Sequence, residues 1–518
     1  MKTNYSPALT RLLTILPLSV ASIFAAEFRL AAPVCDHMVL QREKPVPIWG
    51  FGDSGETVTV SFGGQTKSAS VDSAGKWLVK LDPLAASAES RKMVIAAKSA
   101  ARSIEVNDVL VGEVWLGSGQ SNMAMTVSSS ANFEQEKNSA DLPLIRHFRD
   151  SSGPGTSPQT ETKGKWEVSS TQSVGGFSAT LYFFGREIQR ELGVPVGLIN
   201  TSVGGTPIES WIAAKTQAED PKLKDAHSAD IANYTAFNPE KAMADYEKAL
   251  EQWKKADAEA KTSGAKPPRK PTDPVQNRKS KGGPGELFNG KVAPLVPYAV
   301  RGMLWYQGEA NASVQKAPLY VHQLSALVTD WRKLWKEELP FAWVQLPNYK
   351  STEGWPLMRE SMMKTLALPK TGMAITLDIG DAEDIHPKNK QDVGKRLSLW
   401  ALGTVYGKKV AATSGPLPSG HKIQGNEISV SFNHADGGLK AAAGELKGFQ
   451  IAGADQTWKP ARARVSGNSV VVGNPEITAP VAVRYAWSDL PDGNLRNAAG
   501  LPATSFRTDE WPVPALTK

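Results

Sequence analysis

The chain has 518 residues, a formal net charge of +7 and a single cysteine. One cysteine excludes an intrachain disulfide framework. The length exceeds what one hydrophobic core supports, so two or three domains are expected.

Lys2 and Arg11 precede an apolar run at 12–24, small residues Ala25 and Ala26 follow, and no acid occurs before Glu27. That order reads as a signal peptide, residues 1–25, and predicts a secreted or periplasmic protein. A membrane anchor is the alternative, but the run is shorter than the ~20 residues a span needs and Pro17 interrupts it. No other stretch reads as a span once the signal is removed. The positive charge is spread along the chain except in a Pro-Lys-Arg stretch at 261–281. Behind a signal peptide, such a stretch reads as a solvated loop or a contact to an acidic glycan, not as a nucleic-acid site.

Residues 27–108 carry short alternating runs such as Thr57-Val-Thr-Val-Ser-Phe62 and Lys76-Trp-Leu-Val-Lys80, separated by Gly-rich turns. This predicts an N-terminal β-sandwich-like domain. Cys35, near its first strand, is expected to be a buried free thiol.

From 109 the pattern changes. Strands are expected at 109–116, 196–201, 299–306, 341–345 and 373–377, alternating with helices at 180–192, 317–336, 358–366 and 390–406. Strand–helix alternation predicts an α/β domain over 109–409, a parallel sheet sandwiched by helices, with ligands beyond the carboxyl ends of the strands. A charged insertion at about 214–286 interrupts it. Its 242–258 segment reads as a solvated helix, and Pro267-Pro-Arg-Lys-Pro271 and Lys281-Gly-Gly-Pro-Gly285 as irregular loop with no chemistry assigned. Residues 410–518 return to short strands and form a C-terminal β-rich domain.

Four strand ends carry candidate chemistry. Val114-Trp-Leu-Gly-Ser-Gly-Gln-Ser-Asn-Met123 runs a strand into a tight turn that presents Ser121 at a helix start, where free N–H groups could receive an oxyanion. The alternative is that Ser121 only caps the helix. At Asn200-Thr-Ser-Val-Gly-Gly-Thr206 adjacent glycines let backbone approach a ligand; an ordinary turn is the alternative. At Trp305-Tyr-Gln-Gly-Glu-Ala-Asn311 two amides and a carboxylate sit at a strand tip. In Asp378-Ile-Gly-Asp-Ala-Glu-Asp-Ile-His386, acids lead to a histidine placed where a serine's base could stand. The same acids would be hard ligands in a metal-dependent hydrolase, but their spacing does not fit the twelve-residue calcium loop, and no metal site is assigned. His37, His147, His227, His322, His421 and His434 lack such a setting.

In the order Ser, Gly, Gln/Asn and Asp/Glu-His, these segments resemble the four blocks of the SGNH hydrolase superfamily. The chain from 28 to 512, the insertion apart, is similar to the sialate O-acetylesterase family of carbohydrate esterases. The carrying residues are Gly119-Gln-Ser-Asn-Met123, Val203-Gly-Gly-Thr206, Trp305-Tyr-Gln-Gly-Glu309 and Ile385-His-Pro-Lys-Asn-Lys390, with Asn289-Gly290, Arg484-Tyr-Ala-Trp487 and Phe506-Arg-Thr-Asp509. The resemblance implies an SGNH-type sheet and a serine esterase that removes O-acetyl groups from a sugar or polysaccharide through an acetyl-serine, with no cofactor. It makes Ser121 the nucleophile and His386 the base. The oxyanion donors would be the Ser121 N–H, the Gly204 or Gly205 N–H and the Gln307 amide, with Asn311 competing for the last role. The acid would be Glu383, three residues before the histidine, or Asp384, unless a carbonyl alone orients the base. Gln120, Asn122, Glu309 and Asn311 are assigned to substrate binding. Acetyl-xylan is the substrate variant, and a catalytically silent glycan-binding protein on the same scaffold is the alternative function.

Overall fold

The computed structural model describes Met1 and residues 27–98, 102–351 and 354–513. Apart from Met1, the expected signal peptide lies outside these residues.

One strand, Arg102–Gly119, organises the molecule. Its first half pairs antiparallel with Ser87–Ala97, and its middle pairs parallel with Val39–Gln41. Its last third lies between Val196–Asn200 and Gly302–Tyr306, both parallel to it. The boundary expected at 108/109 therefore falls inside a continuous strand. The sequence changes texture there because burial changes: exposed residues recur up to Asn107, while every residue from Val109 to Gly119 is buried. Strands covered on both faces lose the apolar–polar alternation.

The sheet continues in the order Gly164–Val168, Ile145–Asp150, Val196–Asn200, Arg102–Gly119, Gly302–Tyr306, Phe341–Val344, Thr371–Ala374. Only the first pair is antiparallel. The expected helices are present: those expected at 317–336 and 390–406 are shorter, and those expected at 180–192 and 358–366 begin one and three residues earlier. Ala179–Leu192 and Lys390–Trp400 cover one face, Tyr320–Trp335 and Trp355–Lys364 the other. Alternate strand residues sort into two cores accordingly. Leu198, Leu304, Ala342, Val344 and Ala374 pack with the first helix pair, and Ile199, Met303, Trp305, Phe341, Trp343 and Met373 with the second. This period of two across a doubly covered sheet is what fixes each strand's register.

The N-terminal region pairs Val46–Phe51 with Lys76–Leu81, and Thr57–Phe62 with Gln65–Ser70 and Ser87–Ala97. Cys35 is free but only half-buried there, not fully buried as expected. The C-terminal β region docks on the α/β core through Arg359. Fully buried, Arg359 donates to the carbonyls of Leu346, Pro347, Ser488 and Asp489.

The insertion is more ordered than its composition suggested. Ala214–Glu219, Lys224–Thr235, Pro239–Ser263 and Pro274–Lys281 are helices. The last was expected as irregular chain. Asp273 makes it a helix by accepting the Val275 and Gln276 N–H groups, with proline at the first helical position, where its missing N–H costs nothing.

Candidate active site

The central strand ends at Gly119, whose φ of +133° disfavours a side chain, and a Cβ there would lie 2.1 Å from the Tyr306 carbonyl. The chain then turns at Gln120 into the short helix Ser121–Ala124. Gln120, not Ser121, is the N-cap residue, so the capping alternative for Ser121 does not hold. Instead Ser121 Oγ lies 2.8 Å from His386 Nε2. That is hydrogen-bond distance, and in the tautomer with the proton on Nδ1, Nε2 accepts from the Ser121 hydroxyl. Burial, the largest cause, holds His386 below its usual 6.5, Lys390 and Arg269 push the same way, and Asp384 opposes them. The ring is therefore neutral, and able to accept a proton, at neutral pH.

His386 is held chiefly through its backbone. Asn122 Nδ2 donates to the Ile385 carbonyl at 3.0 Å, and Lys390 Nζ donates to the Pro387 carbonyl at 2.6 Å, so the residues on both sides of the histidine are gripped. The two grips are joined: Lys390 Nζ donates to Asn122 Oδ1 at 2.8 Å, and Asn122 Nδ2 donates to Glu309 Oε1 at 2.5 Å. Asn122 and Lys390 are fully buried. Burial drives Lys390 from 10.5 down to about 7 and raises the Glu309 carboxyl, whose Oε2 is buried without a hydrogen-bond partner. Polar groups kept so far from water act as fixed struts, because leaving any of them unpaired is costly.

Asp384 Oδ1 accepts the His386 backbone N–H at 2.9 Å and stands 3.7 Å from Nδ1. That second separation gives electrostatic support without a hydrogen bond. Glu383 does not reach the ring: it is exposed, and its nearest cation is Lys350 at 3.7 Å. Its selection by spacing is corrected on that ground.

Gly204 lies against the serine; a Cβ on it would be 3.6 Å from Ser121 Cβ. Among the described residues the N–H groups of Ser121, Gly204 and Gly205 meet no backbone acceptor. Gln307 cannot join them. Its Nε2 donates to the Thr206 carbonyl and Asn311 Oδ1, its Oε1 accepts from Tyr320, and the side chain is fully buried. Asn311 is equally committed: Nδ2 donates to Glu209 Oε2 at 2.7 Å, and Oδ1 accepts from Gln307 and from the Ile208 N–H. The expected oxyanion role of Gln307 and the substrate roles of Asn122, Glu309 and Asn311 give way to packing roles, because strand-tip residues here point inward. Gln120 Oε1 accepts from the Ala310 N–H.

The acids of the metal reading do not converge. Asp378 is bonded to Arg396 and Arg496, and no cluster of three ligand-type side chains occurs among the described residues. His147 is a packing residue, stacked on Phe177. Cavities elsewhere, such as a 480 Å³ recess bordered by Trp49 and Trp77, do not touch the serine.

Sequence reasoning gave no role to Lys390, although its place four residues after His386 was a usable signal. Nor did it give one to Lys281, whose Nζ lies 2.7 Å from where a Gly205 Cβ would be.

Comparison with known proteins gives the following. A family model described as "Carbohydrate esterase, sialic acid-specific acetylesterase" matches residues 111–260 and 288–401. A sialate O-acetylesterase from Rattus norvegicus is 30% identical over 514 residues, covering 90% of each chain. One from Homo sapiens is 28% identical, covering 90% of this chain and 88% of the relative. A crystal structure of a carbohydrate acetylesterase from Xanthomonas citri is similar with a TM-score of 0.79 and 33% identity, over 93% of this chain and 100% of that one.

Proposed function

The chain belongs to the sialic acid-specific acetylesterase family of carbohydrate esterases, and from that membership we propose a serine mechanism on an SGNH-type site, exported from the cytoplasm by residues 1–25. His386 Nε2 takes the Ser121 proton as Oγ attacks the acetyl carbonyl. The tetrahedral oxyanion falls to the N–H groups of Ser121 and of Gly204 or Gly205, each donor worth roughly 3 kcal/mol. His386 then returns the proton to the departing sugar oxygen. Water, activated by the same imidazole, releases acetate from the acetyl-serine. The substrate is an O-acetylated sugar of the sialate type, and no step calls for a cofactor.

The 2.8 Å approach of Ser121 Oγ to His386 Nε2 carries this reading. The SGNH-type arrangement draws support from the placement of all four motif segments after parallel strands of one sheet. Acetate release from O-acetylated sialosides and from acetyl-xylan, wild type beside Ser121→Ala, tests it. Wild type is expected to release acetate and the variant to lose at least ~1,000-fold in kcat. Glycan binding without acetate release from either protein would overturn the esterase reading in favour of a silent binder.

A further inference from the structure

The insertion brings two cations to the serine. Lys281 ends the Pro274–Lys281 helix. Its ammonium stands over Gly205, 2.7 Å from where a Cβ would project, and the neighbouring Gly204 faces Ser121. Gly205 has a φ of +68°, so glycine both permits the turn and leaves room for the ammonium. Arg269, exposed on the preceding loop, is near enough to act electrostatically on both His386 and Lys281.

Both cations are held in place by what flanks them. Trp253 Nε1 donates to the Pro268 carbonyl at 2.9 Å, and the Lys270 ammonium lies 5.7 Å from the centre of the Trp253 ring. Arg269 sits between these two anchored residues. The helix below is fixed by Arg278, which donates to the Tyr234 carbonyl and stacks 3.4 Å over the Tyr234 ring. Lys316 Nζ reaches Asp230 at 3.4 Å and ties the insertion to the segment after Glu309.

Charge balance then points to a ligand. Lys316 and Lys350 have carboxylates within ion-pair range, whereas Lys281 and Arg269 have none among the described residues. Burial and the nearby Arg269 both work against the Lys281 charge. The half-buried Lys281 charge, disfavoured where it stands over Gly205, would be stabilised by an anion there, and the exposed Arg269 adds attraction for the same anion. Both residues fall in 261–287, the stretch absent from the family match.

We propose that Lys281 and Arg269 form a carboxylate-binding subsite, through which the insertion selects O-acetylated sugars bearing a carboxylate over neutral ones. The proposal rests on the esterase reading of Ser121 and His386. An O-acetylated sialic acid and the same sugar with its carboxylate converted to the amide test it directly. Wild type should prefer the acid in kcat/KM by about tenfold or more, the value of one charge-assisted contact. The ratio should fall toward one in Lys281→Gln and in Arg269→Gln, chiefly through KM on the acid. Added salt should erode the preference in wild type only. A wild-type ratio near one, or a ratio unchanged in both variants, would overturn the subsite and leave the esterase reading intact. No hydrolysis of either sugar or of p-nitrophenyl acetate by wild type would overturn both. Arg269 is exposed, so its variant removes no buried contact and keeps the test interpretable.

Discussion

Replacing Lys390 by methionine separates activity from stability. Its burial takes the ammonium from 10.5 to about 7. At about 1.4 kcal/mol per pH unit, keeping it protonated in the fold costs about 5 kcal/mol. Below pH 7 folded and unfolded chains both carry the proton, and the cost stands in full. From 7 to 10.5 the unfolded chain binds more protons, so this group makes stability rise with pH. Methionine removes the cost but orphans the Pro387 carbonyl and Asn122 Oδ1, at about 1–3 kcal/mol each. Near pH 7 the two effects cancel to within about 2 kcal/mol, as happens when other buried charges become apolar.

Activity should not cancel. The Pro387 grip is one of two that hold the His386 backbone. Losing it should lower kcat about 10- to 100-fold, the cost of an ångström-scale displacement of a reacting group. Urea unfolding at pH 7 and pH 9, with kcat measured on the same preparations, tests both halves. Between those pH values wild type should gain about 2–3 kcal/mol on the variant. Parallel stability curves would refute the burial argument, and an undiminished kcat would refute the positioning role.

Other outcomes follow from the same geometry. Because burial holds His386 below 6.5 and its neutral form is the base, kcat/KM should rise with pH and level off with a midpoint below 6.5; a midpoint above that value contradicts the assignment. Asp384→Asn should lower kcat about tenfold and move that midpoint further down, since Asp384 raises the histidine. Glu383→Gln should stay within about twofold, since the residue is exposed and its one ion pair, to Lys350, is solvated. Asn311→Ala should destabilise the fold by about 2–4 kcal/mol, read by urea midpoint, because it removes the partner of Glu209 Oε2 and of the Ile208 N–H. A raised KM with unchanged stability would instead return Asn311 to substrate binding.

The α/β core was legible because its strands are apolar on both faces and its helices periodic. The same signal misplaced the domain boundary: Arg102–Gly119 changes burial halfway along without ending, and composition registers burial, not chain direction. The insertion was underestimated for the complementary reason. Lys224–Thr235 buries no residue, so no apolar stripe marks it, and Pro274–Lys281 depends on one Asp273 cap amid prolines and lysines.

At the site, residue type was legible and orientation was not. A turn at Ser121 and a histidine after acids mark both residues by position, and the fold brings them within 2.8 Å of each other. Gln307, Asn311, Asn122 and Glu309 are polar residues at strand ends, where the sequence favours solvent or substrate as partners. The fold instead turns Gln307 toward Tyr320, Asn311 toward Glu209, Asn122 toward Ile385 and Lys390, and Glu309 toward Asn122, none of them a neighbour in sequence. Local spacing cannot express such pairings. It also selected Glu383, because a spacing rule counts residues while the bend at Asp384, whose carboxylate accepts the His386 N–H, decides which acid faces the ring. On the proposed mechanism, a base gripped at the carbonyls on either side needs little from its acid. That explains how a 3.7 Å separation can coexist with a hydrogen-bonded serine and histidine, and it places the strongest positional demand on Lys390 and Asn122, not on the carboxylates that the motif displays.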